Sequence, residues 1–244
     1  MSREFEIKKE VEVEGTPEQV WDAIATGPGI DSWFMGPHTV DGRLGGRMTL
    51  DLGFFQEAST ITVWEPGKHL AYESDKGEDG TVHAMEYLIE ARDGGSTVLR
   101  FVHSGILGDG WGDEYLDQTS YGWDMYLSTL GQYVKHFSGR HGTYVFAQAP
   151  QEQPDDAWAR LLAALGVPAD PEIGDEVTLE PFGITGVVDF AYDLPGVFLS
   201  VRGTDGLYRF HGTRAVGHHL FGDATGQSEK WTAFLAQALS ADPK

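Results

Sequence analysis

Two histidines open the search for chemistry. His83 and His103 lie in TVHAMEYLIEA and STVLRFVHSG, stretches whose alternation turns them to the same side as Met85, Tyr87 and Phe101. If the two strands neighbour each other, the imidazoles form a pair that could ligate a metal or exchange protons near neutral pH. A strand histidine more commonly serves as a satisfied wall residue, and that reading is preferred. No catalytic residue, metal ligand or cofactor is therefore assigned.

A second group, Tyr115, Tyr121, Trp123, Met125 and Tyr126, combines apolar bodies with polar tips. Such side chains suit a pocket that orients a ligand through a few hydrogen bonds, and equally a well-packed helix face. At helical spacing they cannot all point inward, so Thr119, Trp123 and Tyr126 are taken as the inward face. His218 and His219 are adjacent, and on a strand their rings point apart and cannot chelate together. Asp109, Asp113, Glu114 and Asp117 lack the spacing of a calcium loop, and Asp113 and Glu114 suit the dipole at the start of the long helix instead. GDGWGD at 108–113 has the glycines of a phosphate loop without its spacing, and GxxxxGK[ST], HExxH and GxSxG are absent.

Composition narrows the classes. The chain has 244 residues, 41% of them hydrophobic, which is enough for a buried core. Cysteine is absent, removing disulfides, thiol nucleophiles and thiolate metal sites. A net charge of −21 with no basic cluster disfavours nucleic acid and anionic lipid as partners. MSREFEIKKEVEVEG has no apolar h-region, and no apolar run reaches the length of a membrane helix. A soluble cytoplasmic protein is expected.

The elements that must position these residues follow from patterning. FEIKKEVEVEG alternates as a half-buried strand. TPEQVWDAIAT is a helix capped by Thr16, with Pro17 in first position and Gln19 completing a capping box. RMTLDLGF, STITVWEPG, HLAYESD, TVHAMEYLIEA and STVLRFVHSG read as an antiparallel meander. Trp123, Leu127, Leu130, Val134 and Phe137 mark one long amphipathic helix ended by Gly139. The polar QAPQEQPDD is the expected linker between a domain over 1–146 and a smaller α+β domain over 154–244. The second part echoes the first: GGRMTLD at 45–51 aligns with GDEVTLE at 174–180, and the same offset sets Pro66-Gly67 on Pro195-Gly196 and Leu70 on Leu199. A degenerate repeat would then lack the opening strand and about one hairpin.

TPEQVWDAIAT, IDSWF, GGRMTL, VWEPGKHLAYE and GWDMYLSTLGQYV occur in the order seen in START-like domains of the SRPBCC superfamily. More narrowly, the chain resembles the family named for the activator of the heat-shock-protein ATPase. That resemblance implies an α+β helix-grip fold, a curved antiparallel sheet wrapped around the long helix with an elongated cavity between them. It also implies a small apolar or aromatic ligand there. Trp33 and Phe34 would stand at the cavity mouth, chiefly as a plug for the open end of the core. Val63 on STITVWEPG joins His83, Met85, Tyr87, Phe101, His103, Thr119, Trp123 and Tyr126 as cavity candidates. The alternatives are a cavity enzyme of cyclase, dehydratase or hydrolase type and a stress regulator that contacts a chaperone; binding without catalysis is preferred.

Overall fold

The computed structural model describes residues 3–53, 55–108, 114–192 and 198–240, Glu114 by its backbone alone. Residues 109–113 and Pro195-Gly196 lie outside them, and so do the expectations for GDGWGD and for that dipeptide. The chain divides into two compact units, Met1–His141 and Gly142–Lys244.

The first unit begins with β1 (Arg3–Val13), which buries Phe5, Ile7 and Val13. Helix α1 (Pro17–Ala25) starts at the capping box: Gln19 N–H donates to Thr16 Oγ1 at 3.3 Å, and Thr16 N–H to Gln19 Oε1 at 2.9 Å. A short helix, α2 (Gly27–Asp31), follows at once, capped by Thr26. Then come β2 (His38–Val40), β3 (Arg47–Asp51), β4 (Gln56–Glu65), β5 (His69–Ser74), β6 (Val82–Ala91) and β7 (Thr97–Leu107). They form one antiparallel sheet in the order β1-β7-β6-β5-β4-β3-β2. Helix α3 (Glu114–Phe137) lies against β1 and α1. Its five periodic apolar residues, Trp123, Leu127, Leu130, Val134 and Phe137, are all at most 5% exposed, so one helix face is wholly given to the core.

In the second unit, β8 (Thr143–Gln148) precedes α4 (Ala157–Leu165). After them come β9 (Glu176–Leu179), β10 (Ile184–Ala191), β11 (Leu199–Gly203), β12 (Gly206–His211), β13 (Ala215–Leu220) and α5 (Gln227–Ala238). The sheet order is β8-β13-β12-β11-β10-β9. Two expectations change here. The boundary falls at 141/142, ahead of the QAPQEQPDD segment, and the second part does have an opening strand. That strand is β8, paired with β13 from Thr143↔Leu220 to Gln148↔Ala215, with Val145 and Ala147 buried. Only six residues long, it shows too few alternations to stand out from the linker.

The second unit buries a core of its own. Trp231 on α5 is fully buried and stacks on Phe182 at 3.8 Å between centroids. Arg209 forms a two-pronged ion pair with Asp189, at 3.1 and 2.9 Å, both side chains at most 4% exposed. Among the described residues, no helix is long and apolar enough to cross a membrane.

Candidate functional site

A cavity of about 990 Å³ opens in the first unit between the sheet and α3. Phe34 and Met35 come from the segment after α2, His83 and Met85 from β6, His103 from β7, and Thr119, Trp123 and Tyr126 from α3. Gly122 also lines it; a Cβ there would meet no atom within 4 Å, so the glycine leaves space on the α3 wall.

Seven of the eleven sequence candidates line the cavity: Phe34, His83, Met85, His103, Thr119, Trp123 and Tyr126. Four do not. Trp33 is 2% exposed, and its Nε1–H donates to the Ala23 carbonyl at 2.9 Å, so it plugs the core. Its neighbour Phe34 instead stacks on Trp123, with centroids 5.5 Å apart and planes 3° from parallel. Phe101 and Tyr87 are buried behind the wall, Phe101 with its centroid 4.2 Å from that of Trp123. Tyr72, which sequence reasoning missed, takes the wall position before Tyr87. Burial, and then the neighbouring Glu57 charge, push the Tyr72 hydroxyl up to about 12, while a hydrogen bond from Tyr87 opposes the rise.

Val63 fails for a local reason. The β4–β5 register shifts between Ile61 and Val63: Ile61 faces Tyr72, Val63 faces Ala71 and Trp64 faces Leu70. One extra residue flips the following side chains. Trp64 thus shares the face of the fully buried Leu70 and meets Trp21 edge-on at 4.9 Å, leaving Val63 on the other side.

The two histidines do meet. Met85 pairs with His103 and His83 with Gly105 across β6 and β7. Trp123 Nε1–H donates to His103 Nδ1 at 3.0 Å, and His103 Nε2 lies 3.0 Å from His83 Nδ1. An indole nitrogen can only donate, so Nδ1 of His103 must accept and its proton sits on Nε2. His103 therefore donates to His83 Nδ1, and His83 keeps its own proton on Nε2. Both rings stay neutral: burial, then His83, press His103 down to about 3, and burial also lowers His83. His83 lines the cavity, and Trp123 on α3, through His103, fixes which of its nitrogens carries the proton.

The other polar station was not visible in the sequence. Asp31, the last residue of α2, and His38, the first of β2, are joined by 2.9 Å hydrogen bonds. Gly36 makes room, since a Cβ on it would lie 2.5 Å from Asp31 Oδ1. His38 lines the cavity along with Glu57 on β4. Among the described residues, no group of three or more His, Asp or Glu side chains could hold a metal ion.

Residues 14–135, half of the chain, match the sequence model of a family described as Activator of Hsp90 ATPase homolog 1-like protein. No curated protein matches the chain. Among solved structures, a Mesorhizobium loti protein is 19% identical, over 55% of this chain and 98% of its own, with a TM-score of 0.46. The Aha1 dimer from Colwellia psychrerythraea is 17% identical, over 55% and 99%, at 0.46. A Bacillus halodurans protein is 25% identical over the same shares, also at 0.46.

Proposed function

The chain belongs to the Activator of Hsp90 ATPase homolog 1-like family, and from that membership we propose that its first unit binds a small apolar or aromatic molecule in a helix-grip cavity. The observation that carries this reading is the cavity itself: about 990 Å³, walled by the Phe34–Trp123 stack and one pre-oriented donor, His83 Nε2–H. A few fixed polar groups in an apolar hollow are what selective small-molecule binding requires. The ligand accordingly carries an acceptor oxygen or nitrogen for His83. Binding is favoured over acid–base chemistry because the lone pair that His83 would need as a base is already taken by His103.

Native mass spectrometry before and after denaturation tests the reading. A bound molecule released on unfolding supports it. Purified protein that is empty, and is not stabilised by any member of a library of aromatic and apolar compounds, would count against it. Gly122→Leu supplies the control: it narrows the cavity from α3, where an added Cβ meets no atom within 4 Å, should raise the melting temperature slightly by replacing a mid-helix glycine, and should weaken ligand retention. The family description also motivates a pull-down with Hsp90; enrichment by the Gly122→Leu variant would make chaperone contact a role independent of the cavity.

We further read the second unit as a diverged, ligand-free copy of the first. Support comes from the shared order, in which the first strand sits beside the last and the rest run as a meander. A register irregularity occurs in β4 against β5 and in β10 against β11. The last strand carries a histidine edge-on to a tryptophan of the final helix in both, His103 with Trp123 and His218 with Trp231.

A further inference from the structure

At the β2 end of the cavity, His38 is gripped from one side and left open on the other. Asp31 Oδ1 accepts both the His38 backbone N–H and its ring Nδ1–H, each at 2.9 Å. A carboxylate only accepts, so the neutral ring holds its proton on Nδ1 and presents a lone pair at Nε2. The side chain is 8% exposed and lines the cavity, and Nε2 has no hydrogen-bond partner among the described residues.

Register brings a carboxylate to the same row. His38 faces Leu50 across β2 and β3, and Leu50 faces Glu57 across β3 and β4, so all three side chains share one side of the sheet. All three line the cavity. Among the described residues Glu57 has neither a hydrogen bond nor an ion pair, although it is half-buried. Burial pushes its carboxyl up from the ordinary value, and only a positive charge on His38 would oppose this. Elsewhere on the wall stand Asp51, Asp75, which pairs with Arg47, Asp79 and the exposed Lys76.

These groups discriminate by charge. At this end of the cavity an anion meets the Glu57 carboxylate and the His38 lone pair. A neutral ligand leaves Glu57 desolvated and uncompensated. A cation removes that cost, and the aromatic rings of Phe34, Tyr72, Tyr115 and Tyr126, which line the same hollow, suit it further. The overall charge of −21 draws cations toward the opening.

We propose that the ligand is a cation, an aromatic or apolar molecule carrying a protonated amine whose N–H groups reach His38 Nε2 and the Glu57 carboxylate. The inference rests on the cavity being a binding site and names its ligand class. Asp31 acts as a positioning residue that fixes which nitrogen of His38 faces the amine.

Calorimetric titration of the whole chain at pH 7.5 with two probes, 1-naphthylmethylamine and 1-naphthalenemethanol, tests it, because they share one ring system and differ in charge. The amine should bind about tenfold or more tightly than the alcohol, and in Glu57→Gln the ratio should fall to within about twofold of one. An amine no tighter than the alcohol, or a preference that survives Glu57→Gln, overturns the proposal while the alcohol's binding keeps the cavity reading. If neither probe binds at millimolar concentration, the proposal is overturned, and the cavity reading is then decided by the library screen.

Discussion

Trp123 dictates the polarity of two other residues because it has the least freedom. Its indole can only donate, so His103 must accept, and His83 is left with its proton on Nε2. The arrangement has a consequence for stability. His103 titrates near 6.5 in the unfolded chain and at about 3 when folded, so below pH 6.5 the unfolded chain binds the extra proton. Its effect is absent above pH 6.5 and destabilising as pH falls from there to about 3, by ~1.4 kcal/mol per pH unit at most. His218, whose Nδ1 accepts the Arg209 N–H, is lowered by burial and acts in the same direction. Urea unfolding from pH 7.5 to 4.5 should show the decline, and His103→Asn should make it shallower by up to one such slope. Asp189 poses the opposite problem, a charge that must not be lost. Asp189→Asn leaves the fully buried Arg209 uncompensated and should cost about 3–5 kcal/mol in the same assay.

At the scale of elements, local rules and tertiary demands can be separated. The α1 cap is a local device: Thr16→Ala should cost about 1 kcal/mol by urea unfolding and leave ligand binding unchanged. The β4 bulge is not local. Nothing in STITVWEPG announces an extra residue, because Val63 and Trp64 are both apolar and either could face inward. What decides is the partner strand, where Leu70 and Tyr72 fix the inner face. The long helix was legible because its stripe repeats over four turns, whereas β8 offers only two inward residues, Val145 and Ala147.

For the whole molecule, the boundary at 141/142 makes a direct prediction. Fragments 1–141 and 142–244 should each fold with a cooperative thermal transition, and the first should retain the ligand. A cut at 146/147 divides β8, removing Val145 from the core beneath β13, and should leave the second fragment markedly less stable by circular dichroism. The strong negative charge works at this scale too, biasing which small molecules approach.

Periodicity and capping chemistry act between near neighbours in the chain, so the sequence alone determined the capped first helix, the meander, the long amphipathic helix and the family. It also turned His83 and His103 on the sheet and Trp123 on the helix toward one cavity, since alternation and helical spacing assign faces. Tertiary structure decided the rest. Asp31 and His38 meet through a turn, and Glu57 joins them only by cross-strand register. The proton positions on His103 and His83 depend on a helix residue twenty positions beyond His103. Such choices depend on distances between segments that have no fixed relation until the sheet closes over α3, and no local pattern encodes them.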